Sequence, residues 1–153
     1  MSEHKVKLDW QRSSEDFSLK NYNRSHQWDF GFGRTLPASA AVEYQGDEDH
    51  VDPEQAFTAA LASCHMLTFL AVASQKGYMI DAYKDEACGV LAKNAAGKMA
   101  ITEVLMYPKI QFSGANVPSI DEVNKLHALA HQYCFLANSV TAEVKVVETE
   151  LVA

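Results

Sequence analysis

Positive charge is scarce in this chain. Lys and Arg total 13 against 20 Asp and Glu in 153 residues, a formal net charge of −7. Nucleic acid and anionic membranes both select clustered cations, so neither is expected as a main partner. A small acidic or apolar ligand in a local pocket remains compatible with that balance. Arginine is confined to Arg12, Arg24 and Arg34. Cysteine is also sparse: Cys64, Cys88 and Cys134 are an odd, widely spread set without a CxxC, which excludes a disulfide scaffold.

Cofactor signatures are missing too. Gly31-Phe32-Gly33 has no third glycine at dinucleotide-binding spacing, no Walker A run occurs, and Ser63 has no GxSxG around it. His127 and His131 share a helix face, but Leu126-His127-Ala128-Leu129-Ala130-His131 lacks the glutamate of HExxH. They read as polar-face or interface residues, and no cofactor is expected. Repeats, linkers and low-complexity segments are absent as well. With 48% apolar and 22% charged residues, the composition is that of a globular chain, read as a single domain over 1–153. Met1-Ser2-Glu3-His4-Lys5 is too polar for a signal peptide, so a cytoplasmic address with reduced cysteines is expected.

One long uncharged run is present. Ala56 to Ala73 contains no Asp, Glu, Lys or Arg. Asp52-Pro53-Glu54-Gln55 supplies an N-cap, a first-turn proline and a first-turn acid, and Gly77 a stop. The predicted helix is roughly 35 Å long at 1.5 Å per residue. Its length would permit a membrane span, but its Ala, Ser and Thr content, its internal His65 and its acidic leading flank favour a helix buried nearly all round. A small monomer covers such a rod poorly, so a homodimer is expected.

The flanking segments read mainly as strands. Val6, Leu8 and Trp10 alternate with polar residues, as do Trp28, Phe30 and Phe32 with Asp29, Gly31 and Gly33, whose glycines suggest a turn or bulge. Ala38 to Tyr44 reads as a strand. Met79–Ala92 and Met99–Phe112 form an expected hairpin around Asn94-Ala95-Ala96-Gly97-Lys98. Ser119 and Glu122 are spaced as a capping box for a second helix, and Val140 to Val147 alternates as a final strand. The order predicts an α+β fold.

Cys64 lies in the first helix and Cys134 near the end of the second. Cysteines on two helices bridge if packing brings their α-carbons within about 7 Å. Composition alone favours reading both as inert core thiols. Cys88, in Asp85-Glu86-Ala87-Cys88, has acidic neighbours that suppress a thiolate and reads as structural. Glu54 lies ten residues before Cys64, about 15 Å along the axis, so only a long cationic group reaches both.

Asp52-Pro53-Glu54-Gln55-Ala56-Phe57-Thr58-Ala59-Ala60-Leu61-Ala62-Ser63-Cys64-His65 resembles the helix signature of the OsmC/Ohr family, the osmotically inducible and organic-hydroperoxide-resistance proteins. Ala130-His131-Gln132-Tyr133-Cys134-Phe135-Leu136-Ala137-Asn138-Ser139-Val140 resembles its second cysteine segment. Ser63-Cys64-His65 and the aromatic Tyr22–Phe32 segment are similar to an OsmC-like branch rather than the core Ohr group. The resemblance implies an intertwined homodimer, with antiparallel sheets wrapped around long central helices and active sites at the subunit interface. It implies a thiol-dependent peroxidase acting on organic hydroperoxides, and in some members on hydrogen peroxide, recycled by an external dithiol. Carried onto this sequence, it makes Cys64 the peroxidatic cysteine, Cys134 the resolving one and Glu54 the carboxylate that holds a catalytic arginine. Arg24 fits that arginine's spacing best, with Arg34 as competitor. Phe57, Met66, Leu67 and Phe69 are expected to give an apolar surround. Two other readings stay open: a redox-responsive or small-ligand-binding protein without efficient turnover, and a metal-binding protein using Cys64, Cys134 and a histidine.

Overall fold

The computed structural model describes residues 1–152. The chain forms two compact units, Met1–Ala56 and Phe57–Ala153.

The first unit is a three-stranded antiparallel sheet in the order β1 (Lys7–Asp9), β2 (His26–Asp29), β3 (Thr35–Ala38). The expected extension of β2 through Phe32 does not form. Gly31, Phe32 and Gly33 all have positive φ (78°, 56° and 73°), which turns the chain back so that Phe30 N–H donates to Arg34 O at 2.9 Å. Phe32 stands at the hairpin tip, 99% exposed. The strand expected at Ala38–Tyr44 is also displaced. It ends at Ala38, and Val42–Tyr44 is a 3-10 turn closed by a left-handed Gln45 (φ 64°). Gly46 explains the fold-back: a Cβ there would lie 1.5 Å from the Ala40 carbonyl oxygen, so only glycine fits. Ala38 is the unit's one fully buried apolar residue among those described.

Helix α1 (Pro53–Gln75) begins as its sequence dictates. Asp52 Oδ1 accepts from Gln55 N–H at 2.7 Å and Gln55 Oε1 accepts from Asp52 N–H at 3.2 Å, a reciprocal capping box. At its end Gly77 (φ 77°) takes the left-handed cap, and Tyr78 N–H donates to Ala73 O. The helix buries one stripe, Thr58, Leu61, His65, Phe69 and Ala73. The opposite stripe, which includes Ala59, Ser63, Leu67 and Ala71, is exposed. The expectation of all-round burial is therefore not met within one chain, because one chain supplies covering elements on one side only. By length and composition α1 is apolar enough to cross a membrane.

The expected single hairpin is broken in two. β4 (Met79–Lys84) pairs with β7 (Lys109–Ser113), and β5 (Cys88–Lys93) pairs with β6 (Met99–Met106) around Asn94–Lys98. The break falls at Asp85–Ala87 opposite Tyr107–Pro108, and Asp85 Oδ1 accepts from Tyr107 N–H at 2.7 Å across it. Proline 108 has no N–H for a ladder, which helps to interrupt pairing there. The chain then forms α2 (Ile120–Tyr133), β8 (Glu143–Val146) and β9 (Glu150–Val152). β8 runs parallel to β6 and β9 parallel to β7, so these two sheets are mixed rather than antiparallel. The fold is α+β as expected.

α1 lies between two apolar clusters. Leu61 packs with Val104, Met106 and Val144, whereas Phe69 and Ala73 pack with Ile110, Val123, Leu126 and Ala130. Gly89 brings β5 close to α1: a Cβ there would lie 2.2 Å from Thr58 Oγ1.

Candidate active site

Cys64 sits halfway along α1 and Cys134 caps the C-terminal end of α2. Packing of the two helices brings their sulfurs to 2.8 Å, with the Cys134 thiol directed as donor to Cys64 Sγ. Both are free thiols. Cys134 is fully buried and Cys64 is partly open. Burial, the contact with Cys64 and the latter's charge raise the pKa of Cys134, while the Ala137 and Leu136 amides pull it back. Cys134 thus holds its proton, and Cys64 is the more open of the two sulfurs. The segment after Cys134 is fixed by short ties: Ala137 N–H donates to Cys134 Sγ, and Ser139 Oγ donates to Phe135 O at 2.7 Å. Cys88 is exposed at the start of β5.

The expected apolar surround is redistributed. Phe69 is fully buried against Tyr83 and His127, and Phe57 packs on the Leu61 cluster, whereas Leu67 is exposed. Phe69 lies on the core stripe of α1, which faces away from Ser63 and Leu67.

Arg24 belongs to the first unit, in the loop between β1 and β2. Its Nη1 donates to Tyr22 O at 3.0 Å, its Nη2 to Leu19 O at 2.7 Å, and its guanidinium lies 4.2 Å over the Tyr22 ring. Tyr22 in turn packs on Phe17 and Phe17 on Trp10, a short aromatic ladder. Asn23 fastens the loop, donating to Gln11 O and accepting from Trp10 Nε1 through its carbonyl. Arg24 is therefore held in one pose by its own loop, on the wall of a hollow of about 480 Å³ shared with Lys20, Ser39 and Asp47. Arg34 is held at the β2–β3 tip, donating to Gly31 O and Phe30 O. Glu54 is half-buried in the first turn of α1.

A buried histidine pair adjoins the thiols. His65 Nε2 and His127 Nδ1 are 3.0 Å apart, and His127 Nε2 is 3.2 Å from Thr149 Oγ1. His65 is 1% and His127 6% exposed. Burial, helped by the charge of His131, lowers the His65 pKa to about 4. Burial and then His65 lower that of His127 to about 3. Both imidazoles are neutral at pH 7. The expectation that His127 occupies a polar face is thus corrected, whereas His131 is exposed. A sequence signal existed for each alone: His65 is four residues from both Leu61 and Phe69, and His127 four from Val123. That the two buried faces meet was not readable. Among the described residues, no three of His, Cys, Asp and Glu gather as metal ligands.

A two-helix α+β chain that holds a dithiol between its helices defines a class of candidate thiol redox proteins. The chain belongs to the OsmC-like protein family, whose model matches residues 46–149. It is similar over 99% of its length, and 100% of the other chain, to an OsmC-like protein of unknown function from Vibrio cholerae, at 43% identity and a TM-score of 0.91. An organic hydroperoxide resistance protein from Elizabethkingia anophelis matches at 16% identity, 99% coverage of both chains and a TM-score of 0.69. The organic hydroperoxide resistance protein OhrB of Bacillus subtilis matches at 18% identity, covering 99% of this chain and 98% of that one, with a TM-score of 0.61. At these identities the last two show a shared fold. A comparison with curated proteins returned no significant match.

Proposed function

We propose that this protein is a thiol-dependent peroxidase that reduces organic hydroperoxides. The observation that carries the reading is the 2.8 Å approach of a partly open Cys64 sulfur and a buried, protonated Cys134 sulfur. The names of the Elizabethkingia and Bacillus neighbours support it. Cys64, as thiolate, attacks the terminal peroxide oxygen. The O–O bond breaks, the alkoxide leaves and takes a proton as the alcohol, and Cys64 becomes a sulfenic acid. Cys134 then attacks the Cys64 sulfur. The S–S bond forms, the S–O bond breaks and water leaves with the Cys134 proton. An external dithiol returns both cysteines to thiols and is itself oxidised to a disulfide.

Arg24 is the proposed catalytic cation, positioned by Glu54, with Arg34 as the competitor. A guanidinium beside the sulfur favours the thiolate and stabilises charge on the departing oxygen. The proposed site lies in an intertwined homodimer, whose second copy covers the exposed apolar stripe of α1. Free, closely spaced thiols that need a dithiol supply suit the cytoplasm. Neither nucleic acid nor membrane is a proposed partner, and no cofactor takes part in these steps.

The test follows cumene hydroperoxide consumption with a lipoyl-type dithiol. Wild type is expected to turn over, Cys64→Ser to fall to background, and Arg24→Ala to lose more activity than Arg34→Ala. Consumption by Cys64→Ser at the wild-type rate would overturn the assignment. One observation favours a second reading, a redox-responsive protein without efficient turnover: both terminal nitrogens of Arg24 already donate to carbonyls of its own loop. That reading gives one disulfide per chain and no sustained consumption.

A further inference from the structure

α2 is tied to the strand of chain around α1 at three points. Tyr78, just past the end of α1, donates from its hydroxyl to Glu122 Oε1 at 3.2 Å. His65 meets His127 at 3.0 Å, and Cys64 meets Cys134 at 2.8 Å. The middle tie lies one residue from Cys64 and seven from Cys134, about two helical turns or ~10 Å along α2. It sits between the two apolar clusters, since His65 separates Leu61 from Phe69 on the buried stripe. Its outer end is anchored again where His127 reaches Thr149, between β8 and β9. A cavity of about 390 Å³ lies beside it, lined by His65, His127, His131 and Thr149 among others.

The direction of the tie follows from counting donors. His65 Nδ1 is buried and has no hydrogen-bond partner among the described residues. A buried N–H without an acceptor costs more than a bare ring nitrogen. The proton of His65 therefore sits on Nε2 and is donated to His127 Nδ1. His127, with Nδ1 accepting, carries its own proton on Nε2 and donates it to Thr149 Oγ1. The chain of donation runs one way, from α1 through α2 to the β8–β9 connection.

We infer that the His65–His127–Thr149 hydrogen-bond chain is a strut that positions Cys134 against Cys64, making His65 and His127 positioning residues for closure of the disulfide. The inference rests on the proposed redox role of the two cysteines. Apolar contacts are non-directional, so they define the rotation of α2 against α1 less sharply than a hydrogen bond does. A buried directional hydrogen bond two turns from the sulfur fixes that rotation, which raises the effective concentration of one thiol at the other. The Cys64–Cys134 disulfide is then favoured by the fold before oxidation begins.

The test equilibrates the full-length protein with reduced and oxidised glutathione and reads the Cys64–Cys134 disulfide by thiol labelling and mass spectrometry. Two protein thiols and one oxidised glutathione give one protein disulfide and two reduced glutathiones, so the reading needs no peroxide. His65→Leu keeps the volume and removes the donor. It is expected to shift the equilibrium toward the thiols by about tenfold or more, equivalent to about 30 mV. His65→Gln places an amide N–H near the lost Nε2–H and is expected to restore the equilibrium to within about threefold, below the full effect of a lost hydrogen bond. A folded His65→Leu with the wild-type equilibrium would overturn the strut alone. A wild-type chain that forms no Cys64–Cys134 disulfide would overturn the redox reading and the strut together. If His65→Leu does not fold, nitrogen chemical shifts of the wild-type histidines decide. Nε2–H tautomers on both rings, with shifts that move on oxidation, support the strut; an Nδ1–H proton on His65, or rings insensitive to oxidation, overturn it.

Discussion

Three cysteines share this chain and their surroundings separate them. Cys88 is exposed at a strand end, Cys134 is enclosed with its proton, and Cys64 is partly open with a partner sulfur at hand. Removing Cys134 should therefore differ from removing Cys64. Cys134→Ser is expected to accept one equivalent of hydroperoxide and to stall as a sulfenic acid, measured as a dimedone adduct on Cys64. Arg24→Ala is expected to lower kcat/KM by about 10²-fold, the scale of losing one donor to a developing negative charge. The order and helical context of the two cysteines were legible in the sequence. Their contact was not, since 70 residues and the packing of two helices intervene. The histidine pair was illegible for the same reason, although each ring could have been placed on a buried face from its spacing.

The histidines also set a pH dependence at this scale. Their folded pKa values, about 4 and about 3, lie below the ordinary 6.5. The unfolded chain therefore binds protons that the folded chain refuses, and stability falls as pH drops below 6.5. By pH 4 the loss is on the order of a few kcal/mol for the pair together. His131, Lys145 and Glu148 line the same space, and His127 itself meets the neutral His65 ring and the Thr149 hydroxyl. The urea midpoint is expected to fall steeply between pH 6.5 and 4, and a midpoint that stays flat across that window would contradict the neutral pair.

Elements were legible where caps and charge patterns spoke together. Asp52-Pro53 and Gly77 bound α1, and Ser119 with Glu122 opened α2 through a complete capping box. Ser119→Ala is expected to cost about 1 kcal/mol, seen as a lower thermal midpoint with unchanged thiol reactivity. The strands were harder. Trp28, Phe30 and Phe32 alternate as a strand should, but three consecutive positive φ angles turn the chain at Gly31–Gly33. The long hairpin was visible as one object, and its break at Asp85–Ala87 depends on Pro108 across the ladder and on the Asp85 carboxylate. β9 was missed because Glu148-Thr149-Glu150-Leu151-Val152 shows no apolar–polar alternation to read; its pairing with β7 is a tertiary fact. Phe69→Ala, which removes the ring joining Tyr83 to His127, is expected to cost about 3–5 kcal/mol.

At the scale of the whole molecule, apolar surface is left over. α1 presents Ala59, Ser63, Leu67 and Ala71 to solvent, and Phe135, next to Cys134, is 82% exposed. The first unit has a sheet with almost no buried apolar residue, and a three-stranded sheet needs a covered face to be stable. A second copy of the chain supplies that cover in the proposed dimer. Sedimentation at micromolar concentration is expected to give about twice 16.9 kDa, and Leu67→Asp to reduce that mass toward the single chain. A wild-type mass near that of one chain would remove the proposed interfacial site.

Thiol counting after one equivalent of cumene hydroperoxide tests the proposed dithiol most directly. Two of the three thiols of each chain are expected to disappear, with Cys88 still free, a Cys64–Cys134 bridge found by mass spectrometry, and both thiols recovered on adding dithiol. Loss of one thiol or none, or a bridge that includes Cys88, would contradict it.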